Sequence, residues 1–343
     1  MPSCHLFLNG WIAMRAVEQS GNLWFSGGQV SPLGNGHIHE TYLLKSDDGG
    51  RSPLVLQRIN DQVFPSPKTL MRQTMEVLEH LRSQEEVKVP HLVESRRGNF
   101  LEELDSGYWR AWEFIRHSRT LDPLENIEQV RNGAKAFGLF HSALAEMKQA
   151  NIREIIPGYQ QLGYYLAGFD QVRREAPSEL LRVIEANNWI TQRFSEKNWL
   201  IHGDCKIDNL LFKSSGDQVQ AILDIDTVML GHWAWDFGDY VRSLWLGKET
   251  IDIEFFRLSI EGFLSGGLLA GYDPEDFADA PLYISFMLGI RFLTDHLQGD
   301  KYFRISYEGE NLLRAEAQFK LFERCLKSRD QLISAAAELL EGY

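Results

Sequence analysis

The chain has 343 residues, 44% hydrophobic and 24% charged, which is enough apolar material for a sizeable core and, at this length, for two lobes. A formal net charge of -13 argues against a nucleic-acid partner, which clustered Lys and Arg would have to grip. Three cysteines without paired spacing, no long apolar run and no basic leader give no case for a disulfide framework, a structural zinc, a membrane span or a signal peptide, so a cytoplasmic location is expected.

The first third reads as a β-meander. Alternation predicts strands over 29–33, 41–45 and 53–59, joined by the turn Gly34-Asn35-Gly36 and by a second turn from Asp47 to Ser52. Ser66 before Pro67 is an N-cap with proline at the first helical position. Leu70, Met71, Met75, Leu78 and Leu81 then recur at helical spacing. Further strands are expected over 90–94 and 108–114, around a polar turn near Arg96 to Asn99. From Asn126 the pattern is helical, with Ile127, Val130, Ala134, Phe137, His141 and Leu144 three and four apart. Extended runs at 199–202, 210–212 and 219–223 interrupt it, and helices resume from Trp235 to the end.

The stretch His202-Gly203-Asp204-Cys205-Lys206-Ile207-Asp208-Asn209, followed by Leu223-Asp224-Ile225-Asp226, carries the chemistry. Phosphoryl transfer to a hydroxyl needs a carboxylate to orient the nucleophile and take its proton, and oxygen ligands to hold magnesium against nucleotide phosphates. The step from Asp204 to Asn209 matches the catalytic loop His-x-Asp-x-x-x-x-Asn of kinases, and Asp224 ends an apolar strand where the metal-binding aspartate belongs. Asp204 is therefore the catalytic carboxylate, Asn209 and Asp224 the metal ligands, and Lys206 a catalytic ammonium beside the transferring phosphate. His202 is assigned to holding the loop, His141 to the core, and Asp226 equally to a helper or a capping role. The expected class is α+β: a protein-kinase-like bilobal fold, with a β-rich nucleotide-binding lobe over 1–112 and a larger, mainly helical lobe over 113–343.

ATP and Mg2+ are the expected cofactors. Gly34 and Gly36 would let backbone amides approach the phosphates. The third strand, Leu54-Val55-Leu56-Gln57-Arg58-Ile59, lacks the usual kinase lysine and leaves Arg58 as the phosphate-binding cation, unless strand parity turns Gln57 inward. Glu76 and Glu79 both qualify as its acidic partner. Main-chain groups around Glu113 and Ile115 are placed for adenine.

These motifs resemble the aminoglycoside-phosphotransferase-like superfamily and, within it, the N-acetylhexosamine 1-kinases. The narrower likeness lies in Gly34-Asn35-Gly36-His37-Ile38-His39-Glu40-Thr41-Tyr42, Leu56-Gln57-Arg58-Ile59-Asn60, Asp236-Phe237-Gly238-Asp239 and Gly289-Ile290-Arg291-Phe292-Leu293-Thr294-Asp295. The resemblance implies transfer of the ATP γ-phosphoryl group to the anomeric hydroxyl of N-acetylglucosamine or N-acetylgalactosamine. It also offers His37, Arg291, Asp295, Tyr302 and Tyr307, with Asp204, as contacts for this small-molecule sugar. A kinase for another hydroxyl, such as an aminoglycoside, choline or a different sugar, is the alternative, and a nucleotide-binding pseudokinase stands behind that.

Overall fold

The computed structural model describes residues 17–34, 38–121, 124–149, 152–267 and 272–342. They form two compact units. One runs to Met75 and resumes over Pro90–Arg116, and the other comprises Glu76–Val89 and the chain from His117 onward.

The N-terminal unit is an antiparallel sheet. Strands β1 (Gly28–Pro32), β2 (Glu40–Ser46) and β3 (Leu54–Ile59) form the meander that the alternation predicts, and helix α1 (Pro67–Leu81) follows where the Ser66-Pro67 signal places it. Strands β4 (Leu92–Val93) and β5 (Glu102–Leu104) both pair with β6 (Gly107–Glu113), which in turn pairs with β3. The strand expected over 90–94 is only two residues long. The sequence reading had no counterpart for β5, because Glu-Glu-Leu carries no apolar alternation and pairs only through its tight hairpin with β6.

Parity sorts the side chains of this sheet. Leu54 and Leu56 of β3 and Trp109 and Ala111 of β6 bury against Val17, Trp24, Phe25 and Leu44 on one face. Gln57, one residue out of step, lies on the other face with Arg110 and Trp112, where Arg110 reaches Met71 of α1.

In the C-terminal unit β7 (Ser118–Arg119) leads to α2 (Ile127–Ala145), which opens on a capping box. The Gln129 amide donates to the Asn126 side chain at 3.2 Å, and the Asn126 amide donates to Gln129 Oε1 at 3.3 Å. Two short helices follow, α3 (Leu162–Phe169) and α4 (Ser178–Ala186). Next come β8 (Trp199–Ile201), β9 (Leu210–Lys213), β10 (Val219–Ile222) and β11 (Met229–Gly231), with β9 between β7 and β10 and β11 paired to β8. Helices α5 (Trp233–Trp245), α6 (Ile253–Ser265), α7 (Pro274–Leu297), α8 (Glu310–Lys327) and α9 (Arg329–Leu340) complete the unit. Helix α5 starts two residues before Trp235 because His232 caps it, its Nδ1 accepting the Ala234 amide at 3.2 Å. Among the described residues no helix is long and apolar enough to cross a membrane.

Helices α5 and α7 meet at backbone contact beside Gly238, where a Cβ would overlap the Ala280 carbonyl oxygen. A backbone oxygen cannot swing aside as a side chain can. Gly238→Ala should therefore lower stability by about 1–3 kcal/mol in denaturant unfolding, and a variant as stable as wild type would refute this packing.

Candidate active site

The loop His202–Asn209 leaves β8 and is fixed by side chains from three other segments. The His202 and Gly203 amides donate to Asp236 Oδ2 and Oδ1 at 2.7 and 2.8 Å. The His202 carbonyl accepts from Thr227 Oγ1 at 2.8 Å and the Gly203 carbonyl from Gln160 Nε2 at 2.7 Å. Further on, the Ile207 amide donates to Ser243 Oγ at 3.0 Å. Gly203 has φ +85°, and a Cβ there would lie 2.6 Å from the Thr227 carbonyl oxygen, so both backbone hand and space call for glycine. His202 does what the sequence reading assigns it. Its Nδ1 accepts the Asp204 amide at 3.2 Å and its Nε2–H donates to the Leu223 carbonyl at 2.8 Å.

Asp236, in the first turn of α5, was quoted only as part of a family motif, yet it braces this loop. Its buried carboxylate takes the two loop amides and His141 Nε2 at 2.7 Å. Burial pushes its carboxyl up, but the His141 bond, the imidazoles and the Gly203 amide more than offset this and hold it below 3.8. His141, Cys205 and Asp236 bring their ligand-type atoms within 4.8 Å of one another. The cluster reads as a brace, because Asp236 is already hydrogen-bonded to the loop. Burial and the neighbouring Asp236 push the Cys205 thiol well up, so it stays protonated. No sequence signal beyond a polar residue among aromatics marks Asp236.

The predicted catalytic residues converge. Lys206 Nζ lies 2.9 Å from Asp204 Oδ2, and Asn209 Nδ2 donates to the same oxygen and to the Asp204 carbonyl, each at 2.8 Å. Asp204 Oδ1 takes no hydrogen bond from the described residues. Burial raises the Asp204 carboxyl, yet Lys206 and Asn209 outweigh it and hold the group below 3.8. Lys206 is raised despite its burial, by Asp204 and then by Asp224 and Asp239, so it is an ammonium. Because Nδ2 of Asn209 is turned to Asp204, its Oδ1 is directed elsewhere. The Leu223 amide donates to the Asn209 carbonyl at 2.8 Å, which brings exposed Asp224, held at φ +57°, next to it in the chain. The oxygens of Asn209 and Asp224 suit a hard divalent cation.

Beside Asp204 stands a group that the sequence shows only in part. The Arg291 guanidinium lies 5.4, 4.7, 5.6 and 5.2 Å from the ring centres of Tyr159, Tyr165, Tyr302 and Phe303. Arg291 is 9% exposed and has no carboxylate ion pair among the described residues. Burial works against its charge, while the neighbouring Asp204 favours it. Tyr159 and Tyr165 come from a segment without a motif, which is why sequence reasoning passed over them. Asp295 is a correction. Its carboxylate accepts the Lys301, Tyr302 and Phe303 amides at 2.9, 2.7 and 2.9 Å and Asn311 Nδ2 at 3.0 Å, so it anchors the turn that presents Tyr302 rather than facing a ligand. Tyr307 is 56% exposed.

In the N-terminal unit, Arg58 is the second correction. It donates to the Ser106 carbonyl at 2.5 Å and pairs with Glu40 at 2.6 Å, on the face away from Gln57. Parity decides this. Gln57 Oε1 instead receives Arg110 Nη2 at 2.9 Å and Trp112 Nε1 at 2.7 Å, and Arg110 stacks 4.8 Å from the Trp112 ring centre. Gly34 takes φ +69°, while Gly36 and His37 lie outside the described residues. The Glu113 amide donates to the His91 carbonyl at 2.9 Å, and Ile115 is half-buried just beyond β6. Glu79 pairs with Arg82, and Glu76 keeps a buried oxygen without a hydrogen-bond partner among the described residues.

The sequence profile of the phosphotransferase enzyme family matches residues 29–275. The chain belongs to that family. Its fold is shared with other phosphotransferases of known structure. An amicoumacin kinase solved with AMP-PNP, Ca2+ and its antibiotic superposes with a TM-score of 0.64 at 16% identity, covering 90% of this chain and 93% of that one. A microcompartment-associated aminopropanol kinase gives 0.61 at 18%, covering 92% and 98%. Choline kinase from Cryptosporidium parvum gives 0.62 at 14%, covering 92% and 94%. An Arabidopsis thaliana protein named "Probable acyl-CoA dehydrogenase IBR3" is 23% identical over 295 residues, 76% of this chain and 35% of that protein. The chain thus spans about a third of that relative, 35% of its length.

Asp236→Asn tests the brace. An amide group can accept on one atom only, so a loop N–H loses its partner, at a cost of about 1–3 kcal/mol. A carboxyl held below 3.8 contributes fully above 3.8 and loses that contribution as pH falls through its folded value. The difference between wild type and variant, followed by denaturant unfolding, should therefore be constant near neutrality and shrink in acid. A difference that grows in acid would contradict it.

Proposed function

We propose that this phosphotransferase is an ATP-dependent kinase that phosphorylates a hydroxyl of a small molecule. The observation that carries the reading is Asp204 itself. One carboxylate oxygen is held by Lys206 and Asn209, while the other takes no hydrogen bond from the described residues and can accept one from an incoming hydroxyl. Asp204 would orient that hydroxyl and take its proton as the bond to phosphorus forms, and Lys206 would offset charge growing on the transferring group. Asn209 Oδ1 and the Asp224 carboxylate would hold Mg2+, whose chemistry when bound is to neutralise phosphate charge. The use of a nucleotide analogue and a divalent cation by the amicoumacin kinase agrees with this. On the nucleotide side, Gly34 and the main chain near Glu113 and Ile115 are proposed contacts, with the Gln57–Arg110 pair in place of Arg58.

For the acceptor, the resemblance in the loops points to the anomeric hydroxyl of an N-acetylhexosamine. The Arg291 group supports a neutral acceptor of this kind, because tyrosine rings give a sugar a stacking face and a guanidinium donates to hydroxyl and acyl oxygens. A cationic acceptor of the choline or aminoglycoside type would meet a like charge there. Arg291, Tyr302 and Tyr307 are the proposed sugar contacts.

The test is incubation with ATP, Mg2+ and a panel of free sugars, aminoglycosides and choline, read by phosphorus NMR. An anomeric phosphate signal is expected with an N-acetylhexosamine and none with choline. Asp204→Asn should lose about 10²–10⁴-fold in kcat with the KM for ATP nearly unchanged. Turnover close to wild type in that variant would remove Asp204 from the mechanism.

A further inference from the structure

Gln160 has three features that set it apart from the rest of the catalytic surroundings. It is 3% exposed yet takes φ +60°, a left-handed backbone that favours glycine. Its Nε2 donates to the Gly203 carbonyl at 2.7 Å, and because a carbonyl can only accept, the orientation of the amide is settled. The remaining oxygen, Oε1, is buried and has no hydrogen-bond partner among the described residues. Such an oxygen is under-satisfied as it stands, and any state that brings it a donor is favoured.

The neighbours of Gln160 give these features a direction. The residue before it, Tyr159, is a wall of the ring cluster around Arg291. The Gln160 carbonyl accepts from Tyr283 OH at 3.0 Å, and that hydroxyl oxygen accepts the Leu162 amide at 3.0 Å, at the start of the helix that carries Tyr165. Gly203, at the other end of the Gln160 amide, precedes Asp204. Two consecutive residues thus touch the proposed acceptor group and the catalytic loop, and a displacement of Tyr159 is carried to Gly203 through one short bond.

We infer that Gln160 is a positioning residue that couples engagement of the acceptor to alignment of Asp204, so that the phosphoryl group passes to the acceptor hydroxyl rather than to water. The inference rests on the kinase reading of Asp204 and on the Arg291 group as the acceptor side. Misplacing a reacting group by about an ångström costs on the order of 10²-fold in rate, so a single bond that sets the loop is enough to bias the outcome. In the uncoupled route water replaces the acceptor oxygen at phosphorus and yields ADP and inorganic phosphate.

Gln160→Glu keeps size and shape but offers the Gly203 carbonyl no N–H. Phosphorylated acceptor and inorganic phosphate are counted together in wild type and variant. The variant should lose about 10-fold or more in acceptor-dependent kcat, keep its KM for ATP, and release a larger share of the γ-phosphate to water. Hydrogen exchange of the backbone over 202–206, measured without any acceptor, should be faster in the variant while exchange in α8 is unchanged. Unaltered partitioning, or unaltered exchange over 202–206, would overturn the coupling role. If wild type transfers phosphate to nothing in the panel, the kinase reading fails, and the exchange comparison still decides whether Gln160 holds the loop. Gln160→Gly, which accepts a positive φ without strain, gives the same comparison should the Glu variant fold poorly.

Discussion

A carboxylate placed in a dry interior has to find donors, and the arrangement around Asp204 follows from how Asp236 finds its own. Helix α5 is buried along most of its length, so Asp236 cannot turn to water. It takes the amides of His202 and Gly203 instead, with His141 on the same oxygen as His202. The catalytic loop has no regular structure over its first residues, and unpaired amides there would otherwise be buried without partners. Each side therefore satisfies the other. Asp204 takes its position from a buried helix of the C-terminal unit rather than from a free loop.

The charges beside that brace alternate in sign. Asp204 holds Lys206, and Arg242 donates to Asp239 at 2.7 Å, while Arg291 stands among rings. Burial raises the Asp239 carboxyl, Arg242 lowers it, and the nearby Asp204 raises it again. Two carboxylates sharing one region ionise unequally. Here Asp204, which has the lysine, is the one held down, and Asp239 the one held up. The carboxylate with an open oxygen is thus the one whose anionic form its neighbours favour, as the acceptor of a hydroxyl proton requires.

Much of this was legible in the sequence because spacing is a local property. Asp204 and Asn209 are five positions apart in a loop too short to separate them, and Asp224 lies two residues beyond the strand that pairs next to Asn209. The meander and α1 were legible for the same reason, since alternation and capping act over a few residues. Arg58 was not, because its role turns on parity at one position, and the tryptophans that set the buried face lie about fifty residues away in β6. The roles of Asp236 and Gln160 were not legible either, because their partners are main-chain groups of a distant loop, and a sequence carries no mark of a backbone group that needs a partner. Asp295 misled for the opposite reason. A carboxylate in a family motif reads as ligand-binding, while its geometry shows it holding a turn.

The shared fold does not choose the acceptor. At 14–18% identity the amicoumacin, aminopropanol and choline kinases share the path of the chain, and that alone. The proposed acceptor end is built from the segment around Tyr159 to Tyr165, from the middle of α7 and from the turn at Tyr302 and Phe303, all of which lie outside the catalytic loop in the sequence. In this chain those three pieces deliver a guanidinium enclosed by rings. A buried cation without a carboxylate partner is costly unless something polar meets it. An ammonium compound would add to that cost, whereas an acyl or hydroxyl oxygen would reduce it. The proposal of a neutral, oxygen-rich acceptor thus draws on electrostatics at one residue as well as on the likeness in the loops that suggested a sugar.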